Sequence, residues 1–291
     1  MLVIFKMQNL KIFKSFTKSK FTSMKYPHYF HVYEMLFAKY KNKKIKFVEI
    51  GVLDGGSLFM WRDYLGKDAE IIGIDLNPDA KRWKKNGFKI FIGDQSSNKF
   101  WIDFYKKVGN IDVLLDDGGH TSKQQIVTLN CSINNVNDDG LIVVEDTHSN
   151  YMFSYGNPSF FSFINYSKKL CDLLNKRFFT NPKKYNFHQR SIFAINFFDS
   201  IVAFHVNKKL CVKSKLIFNN GIKANSHDYR YDSSVNYHIV NFRLYLKELS
   251  KTSVIFKLIY KIVKRPLRFV SFIILKIENF KLIFEFLRIK K

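Results

Sequence analysis

Hydrophobic and polar positions divide the chain into three regimes. Between residues 47 and 146, short apolar runs recur, and each carries an acid within it or at its end: FVEIGV (47–52), EIIGID (70–75), FKIFIGD (88–94), IDVLLDD (111–117) and GLIVVED (140–146). They are apolar at nearly every position rather than alternating, which predicts strands buried on both faces of a parallel sheet. The intervening stretches SLFMWRDYLG, DAKRWKKNG, SNKFWIDFYKKVG and SKQQIVTLNCSINNVNDDG have the length and pattern of helices. Strands alternating with helices imply right-handed crossovers and a sheet covered on both sides. SIFAINFF (191–198) and IVAFHV (201–206) then flank Asp199 and Ser200, which predicts a hairpin and hence antiparallel pairing. The fold class is α/β: a doubly wound, seven-stranded, mostly parallel, Rossmann-like sheet ending in an antiparallel hairpin, with helical arms at both ends.

The flanks behave differently. KYPHYFHVYEMLFAKY (25–40) predicts one amphipathic helix entered after Pro27. Residues 151–190 are aromatic and irregular, and read as a lid or substrate loop. In the tail, Lys257, Lys261, Lys264, Arg265 and Arg268 fall on one helical stripe, with Ile255, Phe256, Leu258, Ile259, Ile262 and Val263 elsewhere; Pro266 interrupts before Lys281, Glu285 and Arg288 resume the stripe. Such a helix either lies in an anionic membrane surface or packs its apolar side on protein. Three parts follow: 1–46, a basic arm and cap helix; 47–210, the catalytic domain; and 211–291, an extension ending in basic amphipathic helices.

Charge sharpens this division. The net charge is +24, but residues 1–46 hold eleven Lys against one Glu, and 251–291 hold eleven Lys or Arg against two Glu. The middle is therefore an ordinary globular body between basic arms. Phospholipid headgroups or nucleic acid would suit such arms, although a chain this rich in Lys, Asn, Ile and Phe carries part of its lysine as compositional bias. Three widely spaced cysteines, with no CxxC pair, suit a reducing compartment. The opening apolar run of five residues is too short for a secretory leader, and the longest apolar candidate for a membrane span, 269–275, falls far below the roughly 18 residues needed. A cytoplasmic protein is expected, at most peripheral at the inner face of a membrane.

The first strand runs into Glu49, Gly51, Asp54, Gly55, Gly56 and Ser57, a glycine-rich turn opening a helix. A dinucleotide site would place GxGxxG here to present backbone N–H groups to a pyrophosphate. Val52 and Leu53 occupy the middle instead, and Glu49 stands inside the strand. A sulfonium ligand with an amino-acid tail fits better, since it needs room, a carboxylate near its ammonium group and close backbone approach. Asp75, at the end of the second strand, is placed for ribose hydroxyls. Asp94, followed by Gln95 at the end of the third, is placed for an adenine amino group. Three acids at successive strand ends are informative because ligands bind at the carboxyl edge of such sheets.

The fourth strand ends in Asp116, Asp117, Gly118, Gly119 and His120, and the fifth in Glu145, Asp146, Thr147 and His148. Four carboxylates and a His at one edge repel unless a cation relieves them, and an oxygen-rich set favours a hard ion such as Mg²⁺. Taken alone, DDGGH also suits a plain strand-to-helix turn with an acid as cap.

Residues 47–146 resemble the class I S-adenosylmethionine-dependent methyltransferases, and within them the metal-dependent sugar O-methyltransferases of macrolide tailoring and the cephalosporin-hydroxylase-like family. The likeness extends to Tyr33-Glu34-Met-Leu-Phe37 upstream and to AINFFDSIVAFHV downstream. It implies S-adenosyl-L-methionine and Mg²⁺ or another divalent cation as cofactors. Glu49, Gly51, Gly55, Ser57, Asp75, Asp94, Gln95 and Asp116 are then expected around the nucleoside. Asp117, Glu145 and Asp146 are expected on the metal, with Asp117 and His120 catalytic and His120 the general base. Asp116 also suits a place behind the metal ligands, His148 a structural role, and His31 a place near the substrate. Gly119 stands where the family commonly has Ser. The implied function is methylation of a sugar hydroxyl in a glycan, as in polysaccharide biosynthesis, or in a glycosylated small molecule; self-association stays open. An RNA or other small-molecule methyltransferase and a non-catalytic scaffold are the alternatives. Nucleic acid is disfavoured because the basic residues lie in the arms and no NPPY follows the fourth strand. A nicotinamide-dependent dehydrogenase is disfavoured by the lack of GxGxxG.

Overall fold

In a computed structural model of the chain, describing residues 7–156, 159–222 and 234–288, the apolar runs pair into one seven-stranded sheet. Its strands are β1 (Lys46–Ile50), β2 (Glu70–Asp75), β3 (Lys89–Ile92), β4 (Ile111–Asp116), β5 (Val136–Val144), β6 (Ile192–Phe198) and β7 (Ile201–Val206). Their spatial order is β3-β2-β1-β4-β5-β7-β6. The first five are mutually parallel, and β7 inserts antiparallel between β5 and β6. The fold class expected from the pattern is thus the one observed.

Helices cover both faces. They are α1 (Lys11–Lys18), α2 (Tyr29–Phe37), α3 (Gly56–Leu65), α4 (Asn98–Val108), α5 (Ser122–Ser132), α6 (Phe163–Lys176) and α7 (Phe187–Ser191). Local chemistry sets their ends: Ser97 caps α4, which stops at Gly109, and Thr121 with Gln124 forms a capping box on α5. One face buries Phe47, Leu115 and Val143 with Phe37, Tyr33, Trp61 and Ile12. The other buries Val48, Leu114 and Val144 with Trp101, Phe104, Leu129 and Phe163. Side chains alternate along a strand, so Glu49, Asp117 and Glu145 share the parity of the first set and Asp116 that of the second.

Several elements depart from the pattern-based expectation. The cap helix is shorter than expected, Tyr29–Phe37, and is amphipathic as expected: Tyr29, Phe30, Val32, Tyr33, Leu36 and Phe37 are buried on one face, with His31 and Met35 exposed on the other. The 79–87 segment winds as 3₁₀ turns over Pro78–Asn86, started by Asn77 and Pro78. The stretch after Ser132 is not helix; β5 already begins at Val136, and its register against β4 shifts between Ile111 and Val113. Residues 151–190 are not one loop, because α6, capped by Ser162, lays Phe163 against Phe204 with ring centroids 6.1 Å apart.

By contacts the chain divides into two compact units, Met1–Leu216 and Ile217–Lys291. The second contains α8 (Val235–Leu249), α9 (Val254–Lys281) and α10 (Ile283–Arg288), with α9 packed on α8. α9 continues through Pro266 instead of breaking there. It exposes Val254, Ile255, Leu258, Ile262, Phe269 and Phe272 among its basic residues. No helix among the described residues is long and apolar enough to cross a membrane.

Candidate active site

The carboxyl ends of β1 to β5 open into a cavity of about 770 Å³, within the range of small-molecule sites. Of the residues expected around a nucleoside, Gly51, Ser57, Asp75, Asp94 and Gln95 line it, as do Asp117, His120, Glu145 and Asp146. Glu49, Gly55 and Asp116 are outside the lining. Gly51 turns the chain off β1 at φ 89°, with its N–H on the Ile74 carbonyl at 2.9 Å. A Cβ there would lie 2.0 Å from the Asp117 carbonyl oxygen, so only glycine lets β1 and β4 end side by side.

Asp75 fastens the turn that follows. One carboxylate oxygen accepts from the Val52 and Leu53 N–H groups at 2.8 and 3.1 Å, and the other from Asn77 N–H at 2.8 Å. Asp94, on the exposed rim, accepts from the backbone and hydroxyl of Ser96 at 2.7 and 2.8 Å, which lowers its pKa. Gln95 is buried and bridges two strand ends: its amide donates to both oxygens of Asp116 at 2.9 and 3.0 Å, and its carbonyl accepts from Gly119 N–H at 3.1 Å. Burial raises Asp116 to about 6. Glu49 stands behind the cavity wall, accepting from Ser57 Oγ at 2.8 Å and Trp61 Nε1 at 3.0 Å; burial raises it to about 7.

The acids after β4 and β5 meet side chains from the front of the chain. The Lys25 ammonium, 2% exposed, pairs with Asp117 and, at 2.8 Å, with Glu145. Burial by itself would lower the Lys25 pKa, but Asp117, Glu145 and Glu49 outweigh it and hold it above its ordinary value. Glu145 is fully buried and its pKa is raised by that burial, against the pull of Lys25. Tyr33 donates to it at 2.6 Å; Tyr29 donates to Asp146, and its oxygen lies 2.9 Å from Ser200 Oγ, whose hydroxyl can donate to it. Burial, then the neighbouring carboxylates, raises both phenols. Tyr29 and Tyr33 are one helical turn apart on α2, so one face of that helix serves both acids.

His120 and Asp146 both have positive φ, 57° and 53°, and Leu53 in the opposite wall has 43°. Non-glycine residues held there are strained, and such strain gathers at functional sites. His120 Nε2 is 3.5 Å from Asp146 Oδ2, and its Nδ1 is buried without a partner among the described residues. Asp117, His120 and Asp146 can each offer a ligand atom within 4.8 Å of the others. The hard oxygens of Asp117 and Asp146 fit a divalent cation; Glu145, the third expected ligand, lies outside that grouping and is held by Lys25 and Tyr33. His148 instead bonds Ser200 and lies 4.0 Å from Asp146, and His31 is exposed and not part of the lining.

Lys25, Tyr26 and Tyr29 are among the site residues that motif reading passed over, and Tyr33 entered it only as part of the upstream likeness, without a role. Lys25 is one of eleven lysines in a basic arm and carries no local mark. The tyrosines had a signal, since an aromatic placed every fourth residue on a cap helix before β1 predicts an inward stripe.

Parallel strands ending on a β5-β7-β6 antiparallel edge, with a glycine turn, an acid after each strand and a cavity at that edge, define the class I S-adenosylmethionine-dependent methyltransferase fold. Within that class the chain resembles the macrolide-type sugar O-methyltransferases. No family model matches it. It is similar to the 8-demethyl-8-α-L-rhamnosyl tetracenomycin-C 2′-O-methyltransferase of Streptomyces olivaceus, 32% identical over 130 residues, covering 42% of this chain and 34% of that protein. It is also similar to the mycinamicin VI 2″-O-methyltransferase of Micromonospora griseorubida, 28% identical over 137 residues, covering 45% and 33%. The matches thus span about a third of the length of these curated relatives. Among solved structures, the MycE methyltransferase of the mycinamycin biosynthetic pathway, in complex with Mg and SAH, superposes with a TM-score of 0.60 at 20% identity, over 68% of this chain and 54% of that one. That likeness establishes the fold.

Proposed function

We propose that the 1–216 unit transfers a methyl group from S-adenosylmethionine to a sugar hydroxyl, with a divalent cation held by Asp117, Glu145 and Asp146. The observation that carries the reading is one cavity bounded on one side by Gly51, Asp75 and Asp94 and on the other by Asp117, His120 and Asp146. Donor and acceptor would therefore meet inside a single walled space. The relatives named above, which methylate hydroxyls of sugars on natural products, support the substrate class.

Asp75 holds the turn over which the nucleoside lies, and Asp94 faces it from the rim. When bound, the cation lowers the pKa of the hydroxyl presented to it. His120, oriented by Asp146, takes the hydroxyl proton. The oxygen–methyl bond forms as the sulfur–methyl bond breaks, and the electron pair of the broken bond stays on sulfur. Tyr29 and Tyr33 fix the Asp146 and Glu145 carboxylates. The test is calorimetry with S-adenosylhomocysteine against NAD, followed by methyl transfer to rhamnosylated acceptors before and after EDTA. Binding of NAD alone, or turnover indifferent to EDTA, refutes the reading.

We infer peripheral attachment to an anionic bilayer through the second unit. The supporting observation is the row of exposed apolar side chains on α9 among Lys257, Lys261, Lys264, Arg265 and Arg268. Co-sedimentation with phosphatidylserine vesicles should be lost on deleting 251–291 and absent with neutral vesicles. A deletion that sediments unchanged refutes it.

A further inference from the structure

Between α1 and α2 the chain forms a strap that lends Thr22, Ser23, Met24, Lys25 and Tyr26 to the cavity lining. Its first part is anchored: Ser19 Oγ donates to the Gly56 carbonyl at 2.8 Å, and the Phe21 ring lies 4.5 Å from that of Trp83. Beyond Phe21 the fastenings thin out. Met24 is 81% exposed, Tyr26 50% exposed, and the buried Ser23 hydroxyl has no partner among the described residues. Lys25 is the buried latch, and it grips Asp117 Oδ2 and Glu145 Oε2. Those carboxylates are two of the three proposed to hold the divalent cation.

We propose that Lys25 and the divalent cation are alternative occupants of the Asp117–Glu145 pair, so that loading the metal releases the strap from the cavity. The inference rests on the metal site proposed above. An ammonium and a doubly charged ion a few ångströms apart repel strongly in a poorly solvated pocket, so the pair holds one or the other. The exchange is feasible for three reasons. A buried ion pair contributes little net stability once desolvation is counted. Lysine is a point charge on a flexible stem and is well hydrated once released. The doubly charged ion also balances Glu49, Asp117 and Glu145 better than a single ammonium does. Lys25 thus acts as a built-in counter-ion that keeps the acids compensated and the strap closed until metal arrives.

The test uses the full chain and Mn²⁺. Mn²⁺ affinity is measured by calorimetry for the wild type and for Lys25→Met, with Asp117→Asn as the site control. Hydrogen exchange of residues 22–26 is followed with and without the ion. Removing the competitor should tighten Mn²⁺ binding by about tenfold or more, equivalent to about 1.4 kcal/mol per tenfold. In the wild type Mn²⁺ should speed exchange across the strap, whereas in Lys25→Met exchange is fast throughout and indifferent to the ion. Equal or weaker binding by Lys25→Met, or slower strap exchange in the wild type with Mn²⁺, overturns the proposal and leaves the metal site standing. Binding that Asp117→Asn does not weaken overturns the metal site and the proposal together. Should Lys25→Met fail to fold, the wild-type exchange measurement decides alone.

Discussion

Replacing Gly51 by alanine tests how the cavity is made. The new Cβ would sit 2.0 Å from the Asp117 carbonyl oxygen and 2.8 Å from its carbon, where real Cβ atoms stay beyond 3.0 Å. One strand end must therefore move by about 1 Å in a close-packed region. Alanine at φ 89° adds strain of about 1–3 kcal/mol. The displacement pulls on the Asp117 N–H bond to the Ile50 carbonyl, 3.1 Å long, for about 0.5–1.5 kcal/mol. Overpacking contributes about 1–3 kcal/mol more. The total, about 2.5–7.5 kcal/mol, should lower the unfolding midpoint by about 5–30 °C, at about 2–4 °C per kcal/mol for a unit of this size. Gly156→Ala is the matched control: its φ is 98°, but a Cβ there meets nothing within 4 Å, so only the dihedral strain applies. Thermal unfolding by circular dichroism compares the two. Equal midpoints would refute the steric account, because they would mean that β1 and β4 can separate freely.

Three further outcomes follow from the site. His120→Ala should lower turnover by about 10²–10⁴-fold while S-adenosylhomocysteine binding is retained; calorimetry and single-turnover assays separate the two, and unchanged turnover removes His120 as base. Asp75→Ala frees three backbone N–H groups and should weaken S-adenosylhomocysteine binding by about tenfold or more; unchanged affinity dissociates the turn from the ligand. Glu49, raised by burial from 4.5 to about 7, contributes stability that is complete below pH 4.5 and lost as pH rises through 7. Glu49→Gln should therefore gain on the wild type across that window by up to about 3 kcal/mol; parallel urea-denaturation curves at pH 4.5 and 7.5 would contradict the shift.

The strand-forming runs were legible because a doubly covered strand needs apolar side chains on both faces, and little else in a sequence looks like IDVLLDD. The cavity-lining acids were legible for a related reason, since each terminates such a run. Strand parity carried more than was read from it. Residues 49, 117 and 145 alternate onto one face and 116 onto the other, which foretells that Asp116 turns away from the partners of Asp117. Gln95 meets Asp116 across two strand ends, a contact no spacing announces. Helix α6 was hidden because its few buried positions, Phe163, Ser167 and Leu170, are diluted by polar and aromatic neighbours. Lys25 was hidden more deeply, because its partners lie 92 and 120 residues away and its role arises only when the strap crosses the sheet edge.

The insertion of β7 between β5 and β6 has a consequence for synthesis. β6 leaves the ribosome first yet ends outermost, so it has no place on the sheet until β7 has emerged. Throughout that interval the Gly140–Val144 edge of β5 offers unpaired backbone groups beside apolar side chains, the arrangement that invites pairing with a neighbouring chain. The hairpin must close on itself and then dock as a unit. Nascent chains stalled anywhere between β5 and Val206 are therefore the ones a chaperone would be expected to hold.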